Sequence, residues 1–373
     1  MPDKSVLVTG GAGFIGSHLV DALLERGYEV RVFDNLEPQV HGEGRVPDYF
    51  NREAEFIRGD VRDREALSRA IKGVEVVFHH AAAVGVGQSM YEIRRYVETN
   101  TLGSANLLDI LANEKHKVER LVVASSMSIY GEGKYLCPDC GVIYPKLRPD
   151  EQLRERRWEM RCPHCGREAK PQATDEDKPL YPSSIYAITK RSQEESFLCF
   201  GRAYGIPTAA LRYFNVYGPR QALSNPYTGV AAIFSARILN GRPPVIYEDG
   251  LQSRDFIHVQ DIMEATLLAM EKADFEVFNV GTGRPLTVLE MARILIEKLG
   301  GKGLEPQIVG RYRRGDIRHC YADITRIQKK LGFQPRVKFE EGISDLIAWV
   351  SQEEAIDRFQ EVEEELASKS LVV

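Results

Sequence analysis

Tyr186 and Lys190 stand four residues apart in the stretch "YAITK". On a helix that spacing puts a phenol and an ammonium on one face, where both can address one point. A tyrosine with a pKa near 10 is a poor base at neutral pH, and lowering it by three units takes roughly 4 kcal/mol. A cation about 4–5 Å away, at an effective dielectric near 20, supplies some 3–4 kcal/mol of that. The spacing alone recurs by chance in helices. Its weight comes from "SSMSIYG", which sets Ser126 at the end of an apolar strand, where a doubly wound sheet presents residues to a ligand.

A second constellation is formed by Cys137, Cys140, Cys162 and Cys165, spaced C-x2-C-x21-C-x2-C in "CPDCG" and "CPHCG". Two knuckles of this form are expected to hold Zn2+ by four thiolates in a closed tetrahedron, with no open position for substrate. The expected role is structural, because coordination lets a segment too short to bury its own core keep a fold. His164 lies between the zinc cysteines but is surplus to a filled site. Cys199 and Cys320 read as packing residues.

The third is "TGGAGFIG", with Gly10, Gly13 and Gly16 between the first strand and the first helix, and Gly11 completing G-x-G-x-x-G. Such a loop lets a pyrophosphate approach the backbone at a helix N-terminus. Asp34 ends the second strand, where a carboxylate accepts both ribose hydroxyls and repels a 2′-phosphate, so NAD is expected in preference to NADP. The oxidised nicotinamide would add a second positive charge beside Tyr186. "GDVRD" places Asp60 and Val61 where the adenine would lie. His79 and His80, at a strand end, read as packing residues.

These residues need a scaffold. "SVLVTG", "EVRVFD", "EFIRGD", "VEVVFHHAA", "VERLVVASS" and "PTAALRYF" read as strands, separated by helical segments near 64–71, 90–113 and 184–204. The alternation predicts an α/β fold with a doubly wound parallel sheet, whose central strands are apolar on both faces. The expected division is a dinucleotide-binding domain over 1–215 with 256–281 returning to it, a four-cysteine insertion over 134–172, a substrate domain over 216–255 and 282–345, and a charged helix with a fraying tail over 350–373.

With 373 residues, 43% hydrophobic and 28% charged, the chain can bury one large or two moderate cores. A net charge of −5 gives no basic excess for nucleic acid. No apolar run reaches a membrane span of about 20 residues and no signal peptide opens the chain. Four of the six cysteines sit in paired knuckles, which argues against a secreted disulfide framework. The expectation is a cytoplasmic protein.

Taken in order, "TGGAGFIG", "DN", "GDVRD", "SSMSIYG", "YAITK" and "LRYFNVYGPR" resemble the extended short-chain dehydrogenase/reductases, in particular the NAD-dependent nucleotide-sugar epimerase/dehydratase family. The likeness runs from residue 4 to about 345, interrupted by the insertion. It implies a Rossmann-type domain and Ser126, Tyr186 and Lys190 as catalytic residues. It implies cofactor contacts from Gly10, Gly13, Phe14, Ile15, Gly16, Asp34, Asn35, Asp60, Val61, Ala81 and Ala82. Further cofactor contacts would come from Asn100 near the nicotinamide ribose, from Tyr186 and Lys190, and from Tyr213 in the nicotinamide pocket. For the substrate it implies Gln88, Ser89, Ser126, Met127, Asn215 and Asp316, with Arg254 and Arg313 on the diphosphate. Forked, permanent cations suit that dianion. A homodimer, through helices near 90–113 and 184–204, is implied as well.

Family dehydratases carry an acid–base pair directly after the serine or threonine, where this chain has Met127 and Ser128. The resemblance therefore implies 4-epimerisation. The "GVGQSMYEI" segment and the cysteine insertion are similar to bacterial dTDP-rhamnose 4-epimerases. Val84 stands where typical UDP-galactose 4-epimerases have a lysine. UDP-glucose/UDP-galactose epimerisation remains the alternative, followed by dehydration or a non-catalytic NAD sensor.

Overall fold

The computed structural model describes residues 4–222, 229–352, 357 and 359–373. Parts of the expected substrate domain and tail, residues 223–228, 353–356 and 358, lie outside them.

Seven strands build the central sheet: β1 Ser5–Thr9, β2 Glu29–Asp34, β3 Glu55–Arg58, β4 Val76–His79, β5 Arg120–Ser126, β6 Thr208–Tyr213 and β7 Glu276–Val280. Their spatial order is β7-β6-β5-β4-β1-β2-β3, and every pairing in it is parallel. This is a Rossmann-type fold. The runs of Val, Leu and Phe in β1, β4 and β5 are buried because helices cover both faces. On one face Leu19, Val20 and Leu23 of α1 (Phe14–Leu24) share a core with Ile262, Ala265 and Met270 of the later helix Val259–Lys272. On the other, Leu67, Leu107 and Phe197 anchor α2 (Arg64–Ile71), α3 (Gly103–Asn113) and α4 (Ile185–Tyr204). The direction of winding reverses between β1 and β4, and ligand crevices of such sheets open at the carboxyl ends there.

A third apolar core lies beside the sheet, among α5 (Val230–Leu239), α7 (Val288–Lys298) and α8 (Phe339–Val350), with α6 being the helix Val259–Lys272 between them in the chain. The insertion is a three-stranded antiparallel sheet of Lys134–Cys137, Gly141–Ile143 and Lys170–Gln172, with a small core of Tyr135, Ile143, Met160 and Ala169 around Cys137 and Cys162.

Two elements depart from the sequence reading. The single helix expected over 90–113 is broken into Ile93–Tyr96, a π turn at Val97–Leu102, and α3. The wider turn carries Asn100, fully buried, toward the sheet. The tail expected to fray is held: α9 (Phe359–Ser368) buries Val362 and Leu366, and the chain beyond it pairs with residues 312–314. Tyr312 and Val373 exchange two backbone hydrogen bonds of 2.9 Å, and Arg314 donates to Leu371 at 3.0 Å. Apolar residues at 359, 362 and 366, spaced for one helical face, were the available signal.

Candidate active site

The glycine loop shows which glycine serves the fold and which serves a ligand. A Cβ on Gly16 would lie 2.2 Å from the Gly10 carbonyl, and Gly10 itself has φ +71° with Ala81 N 2.8 Å from its missing Cβ. Those two are demanded by packing. Gly13 has φ −73° and ψ 178°, open to any residue, and the protein atom nearest its missing Cβ is 3.5 Å away. It begins α1 with no side-chain cap, so a small residue here keeps room for an anion at the helix N-terminus. Phe14, Ile15 and Gly16 form the first turn.

Both oxygens of Asp34 hold backbone, Oδ2 accepting from Ala12 N at 3.0 Å and Oδ1 from Leu36 N at 2.9 Å. The carboxylate is buried at the lip of the loop, where its charge disfavours a second anion. Asn35 donates to Asp60 at 2.9 Å, and Arg62 forks onto the same carboxylate. Burial raises the Asp60 pKa, but these hydrogen bonds outweigh it and hold the group below the usual carboxylate range. Val61 is buried against Gly103. Asn100 exchanges hydrogen bonds with the Ala83 backbone at 2.7 and 3.0 Å and donates to Thr189 at 3.0 Å, fixing the loop that carries Ala81 and Ala82. Glycines, Asp34 and loop thus form a cradle whose chemistry fits a dinucleotide.

Ser126 closes β5, and Tyr186 enters from the first turn of α4, which Ser184 caps by accepting from Ala187 N at 3.1 Å. Burial pushes the Tyr186 phenol pKa up, and the nearby Ser126 hydroxyl opposes it. Ser128 donates to Ser126 Oγ from both its backbone N, at 3.2 Å, and its hydroxyl, at 2.9 Å. Sequence reasoning had passed over Ser128 as a contributor. The buried Lys190 ammonium donates to Ala124 O and Gln193 Oε1. Burial lowers its pKa to about 7, against the pull of Glu194. Burial thus biases Tyr186 toward its protonated form.

His79 and His80 are packing residues, as expected. His79 bridges Thr9 at 2.9 Å and Ser104 at 3.2 Å and stacks on Phe197. Burial lowers both pKa values to about 3, with Lys190 adding to it.

Tyr186 also lines a cavity of about 390 Å³ between the sheet edge and the third core. Asn215, Arg254, and the loop neighbours Arg313 and Asp316 reach the same cavity from three other segments. Arg254 is aimed by three carbonyls, Ser253 O at 2.8 Å, Arg318 O at 3.0 Å and Ile317 O at 2.7 Å. Arg313 lies over the Tyr247 ring at 4.5 Å, and its buried Nε has no hydrogen-bond partner among the described residues. Asn215 Oδ1 is likewise buried without one. Burial raises the Asp316 pKa while Arg313 and Arg254 restrain it. A donor and an acceptor left open, beside two guanidinium groups, fit a polar anionic ligand.

Four expected substrate residues stand off this wall. The Gln88 amide is spent on Tyr96, Gln39 and Glu92 inside the fold. Ser89 donates to Val86 O at 2.7 Å. Met127 packs with Tyr130 and Phe214. Ser126 is absent from the cavity lining, which Tyr186 joins. Tyr213 is buried too, its hydroxyl tied to Thr266 at 2.8 Å and His80 at 3.2 Å. Sequence reasoning missed Phe234, Tyr247 and Glu248 on the wall, and Phe359, Val362 and Leu366 from the tail.

The four knuckle cysteines converge, all four sulfurs lying within 4.8 Å of one another, and all six cysteines are thiols. A tetrahedron with bonds of about 2.3 Å sets sulfurs about 3.8 Å apart, so the set fits Zn2+. Gly141 and Gly166, each at φ +73°, make the left-handed turn after each knuckle.

The fold and site define an α/β enzyme of the Rossmann type with a polar cavity beside the sheet edge. Two family models match: the NAD dependent epimerase/dehydratase family over residues 6–149 and GDP-mannose 4,6 dehydratase over 166–346. A dTDP-L-rhamnose 4-epimerase of Burkholderia thailandensis is 36% identical over 94% of this chain and 96% of its own. A putative UDP-glucose 4-epimerase of Methanocaldococcus jannaschii is 34% identical over 92% and 98%. The solved UDP-glucose 4-epimerase of Thermotoga maritima, with UDP-glucose, superposes with a TM-score of 0.76 at 37% identity, over 93% of this chain and 99% of that one. The chain belongs to the NAD-dependent epimerase/dehydratase family.

Proposed function

We propose that this chain is an NAD-dependent nucleoside-diphosphate-sugar 4-epimerase whose substrate is a dTDP-6-deoxyhexose such as dTDP-rhamnose. The observation that carries the activity is the convergence of Tyr186, Asn215, Arg254 and Arg313 on one cavity at the carboxyl edge of the sheet. The Burkholderia relative supports the sugar.

Bound NAD+ supplies the hydride acceptor and later donor, together with a pyridinium charge that favours the phenolate. Tyr186 takes the proton of the sugar's C4 hydroxyl, while Ser126, itself held by Ser128, shares the hydrogen bond. Tyr186 would hold that proton and return it to the C4 oxygen once the sugar presents its other face. Arg254 and Arg313 hold the diphosphate through the turn, and the sugar end stays free to rotate. Lys190, when protonated, would add positive charge on the Tyr186 face of the helix. The residues that follow Ser126, Met127 and Ser128, offer no carboxylate for elimination of water, which weighs against dehydration despite the match over 166–346.

UDP-glucose/UDP-galactose is the second reading, favoured by the Thermotoga likeness. Incubating the purified protein with a panel of dTDP- and UDP-sugars, and reading anomeric protons by NMR, separates the two. No turnover of any sugar would leave a non-catalytic NAD-binding protein.

Cys137, Cys140, Cys162 and Cys165 are assigned to one structural Zn2+. A homodimer is supported by the exposed apolar side chains Met90, Ile93, Val97, Leu102 and Ile188. Six thiols and no disulfide suit a reducing cytoplasm. No helix among the described residues is long and apolar enough to cross a membrane.

A further inference from the structure

The insertion sends two charged side chains, buried Arg148 and half-buried Glu159, against the residues behind the cavity wall. Arg148 forks onto Glu248 at 2.9 and 2.8 Å, and both are buried. Glu248 lines the cavity and holds φ +57°, a left-handed conformation that glutamate adopts only when something holds it there. Its neighbour Tyr247 is the ring under Arg313. Arg148 also donates to Trp158 O at 2.8 Å, within the insertion. From the second knuckle's approach, Glu159 grips the fully buried Arg318, accepting from its Nε at 3.0 Å. Arg318 in turn donates to Glu248 at 2.9 Å and to Asp249 at 2.7 and 2.9 Å. The carbonyls of Ile317 and Arg318 are two of the three that aim Arg254.

We propose that the four-cysteine insertion is the outer scaffold of the diphosphate-binding wall, with Arg148 and Glu159 as positioning residues for Arg313 and Arg254. Arg148 fixes Glu248 and hence the Tyr247–Arg313 stack, and Glu159 fixes Arg318 and hence the acceptors behind Arg254. Neither touches the substrate. The proposal rests on the nucleotide-sugar reading above, and it concerns ground-state binding of the nucleotide end by Arg254 and Arg313.

The test uses Arg148→Met, which keeps the stem and loses the fork, with Arg148→Lys and the isosteric Glu159→Gln as milder variants. Dissociation constants of UDP and dTDP are measured by calorimetry, and KM and kcat on whichever sugar the wild type converts. NAD and zinc contents are recorded for each protein. The expected result is nucleotide binding and KM both weakened about tenfold or more in Arg148→Met, less in Arg148→Lys, with kcat within about twofold and NAD and zinc unchanged. Glu159→Gln should follow the same pattern. Folded variants that bind nucleotide like wild type overturn the positioning role. So does a parallel fall in kcat, NAD and zinc, which marks a general loss of structure. Wild-type protein that binds neither UDP nor dTDP overturns the nucleotide-sugar reading itself, and the scaffold role with it.

Discussion

Gly13→Ala isolates the ligand from the fold. The position has φ −73° and ψ 178°, so alanine fits without strain, and its methyl would sit 3.5 Å from the Gly10 carbonyl, ordinary contact. Replacing glycine at such a site removes freedom from the unfolded chain and stabilises by about 0.4–1 kcal/mol. In a protein this size that is a rise in Tm of about 0.5–1 °C. The same methyl enters the space where a pyrophosphate would meet the uncapped N-terminus of α1. NAD binding should weaken at least about 100-fold, or roughly 2.7 kcal/mol. Gly16→Ala is the contrast: its methyl would lie 2.2 Å from the Gly10 carbonyl, backbone that has nowhere to go. It should cost several degrees of Tm or the fold itself. The assay is thermal unfolding with and without added NAD, plus nucleotide content of the purified proteins. Gly13→Ala with full NAD content, or with a Tm lowered by several degrees, would refute the assignment of this glycine to the cofactor.

Other outcomes can be checked independently. Tyr186→Phe should lower turnover about 10²–10⁴-fold, as loss of a general base does, while NAD content stays at the wild-type level. Stability should fall on acidification below pH 6.5, because His79 binds its proton near pH 6.5 unfolded but only near pH 3 folded. Between those values the unfolded state holds more protons, and the slope is about 1.4 kcal/mol per pH unit for each such histidine; His79→Gln should flatten a denaturation-versus-pH plot by that amount. Arg212→Met strands Glu194, its buried partner at 2.6 Å, and should cost about 3–5 kcal/mol in urea unfolding. Ile188→Glu should shift the protein to monomer in light scattering if the exposed helical face is the subunit contact.

The sheet was legible because parallel strands buried on both faces read as short apolar runs, and β1, β4 and β5 stand where those runs stand. The break at Val97–Leu102 was not, since a π turn adds one residue to a helix whose apolar pattern continues across it. Of the site, motif residues near the sheet edge were readable because their roles are local: Gly13 at a helix start, Tyr186 and Lys190 on one face. The cavity wall was not, because Tyr247, Glu248 and Phe359 reach it from distant segments and none carries a motif. Lysine's orientation escaped for a different reason. Spacing puts Lys190 on the face of Tyr186, but its direction depends on which acceptors are nearest, and Ala124 O and Gln193 Oε1 win.

That orientation bears on how the enzyme would control its base. Burial raises the Tyr186 pKa and lowers that of Lys190 to about 7, so each group left to itself is drawn toward its neutral form. A neutral phenol cannot take a proton from a sugar hydroxyl, and a half-neutral amine loses the field that would make it do so. One added positive charge in the same low-dielectric space shifts the phenol toward phenolate, an effect worth several kcal/mol at about 5 Å. On the proposed reading, ionisation of Tyr186 would track the oxidised cofactor. A pH titration of Tyr186 absorbance near 295 nm, referenced to Tyr186→Phe, should give a lower pKa with NAD+ than with NADH, and equal values in the two redox states would remove this account of the base.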